Sequence, residues 1–137
     1  MKIIIDSNVL FSALIKDSAA RGIILRSNIL FLFPSYIFDE MEKHINELLA
    51  KSGMRQEDFN ALLSLLLEKV LIVPQESIEP YKKEAVRIVK DIDINDSVFI
   101  ACALAHKGSA IWSEDKMLKQ QCRIKVLNTK EIIKLSE

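Results

Sequence analysis

The aspartates carry most of the chemical content of this 137-residue sequence. Asp6 stands directly after the apolar run Ile3-Ile4-Ile5. Asp91, Asp93 and Asp96 crowd the segment DIDIND, just ahead of the unbroken apolar run VFIACALA. Asp115 lies shortly after Ala110-Ile111-Trp112. Carboxylates gathered in one place repel one another, and a hard divalent cation such as Mg²⁺ or Mn²⁺, which prefers oxygen ligands, removes that repulsion. Such an ion polarises a phosphoryl oxygen and makes a hydroxide nucleophile near neutral pH, the chemistry of phosphodiester hydrolysis. Each acid also has a plainer reading. Asp6, Asp96 and Asp115 suit helix N-caps, and Asp91 and Asp93 suit solvated turns. The readings part on whether the acids share a location.

That location depends on the elements. Short β-branched runs alternate with helical periodicity. Ile3–Ile5, Ile29–Phe33, Val70–Val73, Ala110–Trp112 and Ile124–Leu127 read as strands. Helices are expected from Ser7 through Ile15 and again to about Arg26, from Ser35 to a stop at Gly53, and over Gln56–Glu68. Others are expected from about Pro80 to Lys90, over Val98–Ala105 closed by Gly108, and from Asn128 to near Leu135. Asn128 and Glu131 have capping-box spacing. Strands separated by helices predict an α/β fold, a three-layer sandwich with a central parallel sheet of four to five strands and helices on both faces. In open parallel sheets ligands bind beyond the carboxyl ends of strands where the strand order reverses. If the first and fourth strands are neighbours there, Asp6 and Asp115 meet, and Asp96 is within reach.

Composition narrows the class. Half the residues are hydrophobic and 28% charged, which excludes disorder. Length predicts one domain over residues 1–137. Lys plus Arg number 19 and Asp plus Glu 19, so a globally basic nucleic-acid binder is not indicated. Two cysteines are too few for a disulfide scaffold, and a reducing compartment fits. The N-terminal apolar run is broken at Asp6, and the stretch from Ala61 to Val73 falls short of the roughly 20 apolar residues of a membrane span. The expectation is a cytoplasmic protein without a membrane anchor.

Three motifs together resemble the PIN-domain ribonucleases: Asp6-Ser7-Asn8-Val9-Leu10 after the first strand, Asp93-Ile94-Asn95-Asp96 before an Ala-rich helix, and Trp112-Ser113-Glu114-Asp115-Lys116 after the fourth strand. Their order and spacing run through the chain. The resemblance, which extends to small single-domain VapC-type toxins, implies a PIN-like fold and a Mg²⁺- or Mn²⁺-dependent endoribonuclease. It implies catalytic roles for Asp6, Glu40, Asp96 and Asp115, with the metal held by Asp6, Asp96 and Asp115. It also implies supporting roles for Asn8 and Ser113, with Asp93 as an outer member. Glu40 comes from the resemblance alone. Helical periodicity does not select it, and Asp39 and Glu42 compete with it. The family often has a smaller residue where Glu114 stands.

The implied partners are an RNA substrate, an antitoxin protein covering the acidic crevice, and a second copy in a homodimer. Lys16, Arg21, Lys116 and Lys119 are candidates for neutralising RNA phosphates. A solvated surface is the favoured reading of each, because charged side chains are mostly exposed anyway. The other reading of the whole chain is a catalytically silent PIN-like module that binds RNA or protein. A phosphatase of the haloacid dehalogenase type would need an acid where Asn8 stands, and a receiver-like phosphoacceptor would need one directly after the third strand. A zinc site would need Cys102, His106, His44 and Cys122 to converge. A small core residue is the better account of Cys102. The Leu-rich segment Ala61–Leu67 reads as core-facing or as a partner surface.

Overall fold

The apolar runs are strands in the computed structural model, which describes residues 1–136. They are β1 (Lys2–Ile5), β2 (Leu30–Pro34), β3 (Val70–Val73), β4 (Ala110–Trp112) and β5 (Lys125–Leu127). All pair in parallel, in the order β3-β2-β1-β4-β5. The helices are α1 (Ser7–Ile15), α2 (Ala19–Arg26), α3 (Tyr36–Ser52), α4 (Gln56–Leu67), α5 (Gln75–Ile78), α6 (Lys82–Val89), α7 (Ser97–Ala105) and α8 (Thr129–Ser136).

The alternation of side chains along the strands divides the interior in two. Ile3, Ile5, Phe31, Phe33 and Trp112 face a core closed by α1, α2, α3, α4 and α8. Ile4, Leu32, Ile111 and Val126 face a second core closed by α5, α6 and α7. The result is the three-layer α/β sandwich expected. α7 is buried along Phe99–Ala103, which explains its lack of a polar face. α4 turns Phe59 and Leu66 inward and leaves Leu65 half exposed, so most of its leucines serve the core.

Local signals set most boundaries. Gly53, at φ 66°, closes α3 in the left-handed region that glycine adopts without a Cβ penalty. Asn128 and Glu131 form the reciprocal box at α8: Glu131 N–H donates to Asn128 Oδ1 at 2.9 Å, and Asn128 N–H donates to Glu131 Oε1 at 3.0 Å. Two expectations shift. The helix expected from about Pro80 begins earlier, because Gln75–Ile78 winds one turn around the buried Ile78. Pro80 then sits in a tight 3₁₀ turn, Glu79–Tyr81, ahead of α6. Near the start of a helical turn its missing N–H leaves no bond unmade. α7 ends at His106, whose N–H reaches Ala103 O at 3.1 Å. Gly108, at φ 79°, lies beyond the helix, ahead of β4.

Candidate active site

The strand order reverses at β1. The chain leaves β1 for β2 and β3 on one side, then returns to lay β4 and β5 on the other. The carboxyl ends of β1 and β4 are therefore adjacent, and Asp6 N–H continues the ladder by donating to Trp112 O at 3.1 Å. Asp6 and Ser113 are the residues that follow these two strands. Both are buried, so their polar atoms must find each other. Ser113 Oγ donates to Asp6 Oδ2 at 2.6 Å and accepts from Asp115 N–H at 3.0 Å. One hydroxyl thus ties together the acids that follow β1 and β4.

Asp6 also caps α1, its Oδ1 accepting from Asn8 N–H at 3.3 Å. The cap and the cluster are not alternatives here, because each carboxylate oxygen serves one of them. Asn8 acts on Asp6 through its backbone. Asp115 Oδ1 accepts from Met117 N–H at 2.9 Å, and Asp93 Oδ1 from Asn95 N–H at 2.9 Å.

Asp96 differs. It precedes α7 with helical backbone angles and makes no side-chain cap bond. Its Oδ2 is buried with no hydrogen-bond partner. Burial, and then the charges of Asp6, Asp93 and Asp115, push its carboxyl up to about 7. Burial also raises Asp6 above the usual carboxylate range. The hydrogen bonds from Ser113 and Asn8 pull it back, and the charge of Asp115 adds to the rise. Asp6, Asp93, Asp96 and Asp115 therefore share one electrostatic environment.

Glu40 makes its own contacts, with Tyr36 and His44. It lies in the second turn of α3, which starts at the same edge of the sheet, after β2. Tyr36 Oη donates to Glu40 Oε1 at 2.6 Å, and the His44 ring lies 3.8 Å from Oε2. The bond to Glu40 pushes the Tyr36 phenol up to about 12. Of the three competing acids, Asp39 and Glu42 are exposed while Glu40 is half-buried. Tyr36 was not picked out from the sequence, although its position four residues before Glu40 is the i, i+4 signal for such a contact.

Glu114 has a structural role. Its Oε1 accepts from Thr129 N–H at 2.9 Å at the start of α8, and Thr129 Oγ1 accepts from the buried Trp112 indole at 3.0 Å. The carboxylate is spent on a helix N-terminus, which favours negative charge. Ser7 Oγ is a second buried polar atom without a partner, next to Asp6 in the chain. Cys102 is a buried core residue of α7 whose thiol burial pushes up to about 12.

Oxygen donors alone, with one orphaned carboxylate oxygen and raised carboxyls, fit a hard divalent cation. Among the described residues no three His, Cys, Asp or Glu side chains already stand as an ion-holding group. Binding an ion therefore requires the carboxylates to draw inward, and Asp96, with no bond holding its Oδ2, is the freest to do so.

No curated protein matches the chain. Among solved structures, a chain of the VapBC2 complex of Rickettsia felis, crystallised bound to a DNA fragment from the promoter, superimposes with a TM-score of 0.70. The two are 14% identical, and the match covers 93% of this chain and 98% of that one. At that identity the likeness is one of fold. A family model described as the PIN domain matches residues 4–134. The match spans nearly the whole chain and includes every acid of the cluster, so the chain belongs to the PIN domain family.

Proposed function

We propose that residues 1–137 work as one unit, a Mg²⁺- or Mn²⁺-dependent endoribonuclease, with the carboxyl edge of β1 and β4 as its centre. The observation that carries this reading is the buried, unpartnered Oδ2 of Asp96 beside Asp6, Asp93 and Asp115. A protein that keeps carboxylates together without a cationic side chain between them leaves room for a cation from solution.

Asp6, Asp96 and Asp115 would hold the metal. Bound there, it would activate a water and neutralise charge on the scissile phosphate. Ser113 fixes the Asp6 rotamer through its 2.6 Å bond and the Asp115 backbone through its 3.0 Å bond, so it orients two ligands at once. Asn8 supports Asp6 through its N–H, and Asp93 adds negative charge at the rim. Glu40, presented by α3 and steadied by Tyr36, would ligate the metal or orient the attacking water. The proposed role is that of the toxin in a toxin–antitoxin pair in the cytoplasm, with a partner protein closing the crevice and with homodimerisation; what supports the pairing is a fold shared with a chain of a VapBC2 complex. No described helix is long and apolar enough to cross a membrane.

The test is cleavage of single-stranded and structured RNA with Mg²⁺, Mn²⁺ or EDTA, comparing wild type with Asp6→Asn and Asp96→Asn. Cutting that needs metal and is lost in both variants supports the reading. Cutting that survives both points to another site. A folded wild type that binds Mn²⁺ but cuts no RNA would favour the silent binding module.

A further inference from the structure

Carboxylates at the carboxyl edge of the sheet repel a polyanion, and a chain with 19 positive and 19 negative side chains has no overall attraction for one. Phosphates must be held by a local concentration of cations. Two candidates from the sequence are engaged elsewhere. Arg21 Nε donates to Ala13 O at 2.7 Å, tying the end of α1, and Lys119 pairs with Glu131 of α8. Lys16 and Lys116 are exposed but stand singly.

A denser group lies on α6. Lys83, Arg87 and Lys90 are spaced i, i+4 and i+7, so they share one helix face, and all three are exposed. The opposite side of the helix is buried through Ala85 and Val89. The ion pairs around α6 are Lys82 with Glu79 and Arg123 with Glu84. Among the described residues, Lys83, Arg87 and Lys90 have no carboxylate at ion-pair distance. Three exposed cations on one helix face make a local positive row in a chain of balanced charge. The row also leads somewhere. Lys90 closes α6 and passes directly into Asp91–Asp96, the loop that delivers Asp93 and Asp96 to the acid cluster.

We propose that Lys83, Arg87 and Lys90 form a track for the phosphates of a single RNA strand, leading along α6 to the acid cluster. The proposal rests on the nuclease reading above and adds the direction from which substrate arrives. A row one helix face wide and about 10 Å long, from seven residues at 1.5 Å rise, fits a few phosphates of one strand. Double-stranded RNA is gripped across two successive grooves, a far broader footprint.

The test measures anisotropy of a 5′-labelled single-stranded RNA in EDTA across a salt series, then cleavage with Mn²⁺. The triple variant Lys83→Glu, Arg87→Glu, Lys90→Glu is compared with Arg26→Glu, Lys69→Glu, Lys134→Glu. The second set makes the same change in net charge at exposed positions away from α6. A milder Lys83→Gln, Arg87→Gln, Lys90→Gln variant covers the case in which charge reversal disturbs the fold. The expected result is a loss of affinity of about tenfold or more in both α6 variants, with a salt dependence shallower by about 2 in slope for three lost phosphate contacts. Cleavage at low RNA should fall in step, while the rate at saturating RNA persists. The control set should keep the affinity of wild type within about twofold, since it touches none of those contacts. Undiminished binding in the α6 variants, an equal loss in the control set, or equal competition by polyglutamate would each overturn the track. Wild type that binds RNA through α6 but does not cut it with either Mg²⁺ or Mn²⁺ would overturn the nuclease reading and leave the track standing.

Discussion

Asp6 and Asp96 hold equivalent local positions, each preceding a helix at the same edge of the sheet, and burial raises both carboxyls, but their hydrogen bonding differs. Asp6 enters α1 with extended backbone angles, so one oxygen turns back to the helix and the other meets Ser113. Asp96 enters α7 from a 3₁₀ turn with its backbone already helical, which denies it the cap geometry, and one oxygen is left buried and bare. Asp6 is buried but has a hydrogen-bond partner on each oxygen. Asp96 has one oxygen left for something else to satisfy. In the metal-bound state proposed above, Asp6 would be the fixed anchor and Asp96 the carboxylate that closes on the ion.

Removing the two charges separates these acids most directly. Asp6→Asn and Asp96→Asn should each reduce RNA cleavage by at least about 100-fold, beyond the range for outer partners of a metal site. They should part in metal-free stability. Asp6→Asn should lower Tm, because it disturbs a bonded carboxylate, whereas Asp96→Asn should hold or raise it. Equal effects of the two on metal-free Tm would remove the distinction between them.

Ser113→Ala tests the anchor alone. It should cost about 10- to 100-fold in cleavage and about 1–3 kcal/mol in unfolding free energy, because Asp6 is left buried with one oxygen unpaired. Chemical denaturation alongside a Mn²⁺ titration would read both effects, and a variant with wild-type metal affinity would deny Ser113 its orienting role.

The pH dependence sharpens the other side. Asp96 is an acid whose folded-state value, about 7, lies above its unfolded value near 3.8. Between those values the folded protein binds the extra proton, so stability falls as pH rises from about 4 to about 7 and then levels off. The groups acting on it are Asp6, Asp93 and Asp115. In EDTA the Tm of wild type should decline over that window, and the decline should be smaller in Asp96→Asn. Mn²⁺ should restore Tm at pH 7–8 in wild type, by binding the folded state only.

The smallest expected effect belongs to an ordinary cap. Asn128→Ala breaks the box at α8 and should cost about 1 kcal/mol, with cleavage unchanged. A loss of activity there would mean that α8 reaches the site, through the Glu114–Thr129 contact or the Trp112 bond.

Much of this was legible beforehand because it is local. The runs Val70–Val73 and Ala110–Trp112 are strands with the bounds their composition suggested, and Gly53 and Asn128 end and begin helices by backbone and side-chain geometry that needs no distant partner. The turn at Gln75–Ile78 was not legible, since four residues carry no helical period and Ile78 is set by the core it enters. That Asp6, Asp96 and Asp115 would gather at one edge of the sheet was legible from their places beside strands and a buried helix. Glu40 was singled out only by resemblance, because a half-buried flank of an amphipathic helix looks the same whether it faces a site or water.

What the sequence determined by itself was the alternation of apolar runs and helices, and with it a parallel sheet whose loops place acids at one edge. Hydrophobic period and turn chemistry act within a few residues, so they can be read in one dimension. What only the tertiary structure decided was the fate of each carboxylate: Asp6 bonded to Ser113 across 107 positions of chain, Glu114 drawn off to α8, Glu40 held by Tyr36, and Asp96 left bare. Desolvation and hydrogen bonding depend on which groups the packed elements bring together, and that is a property of the assembled layers rather than of any segment.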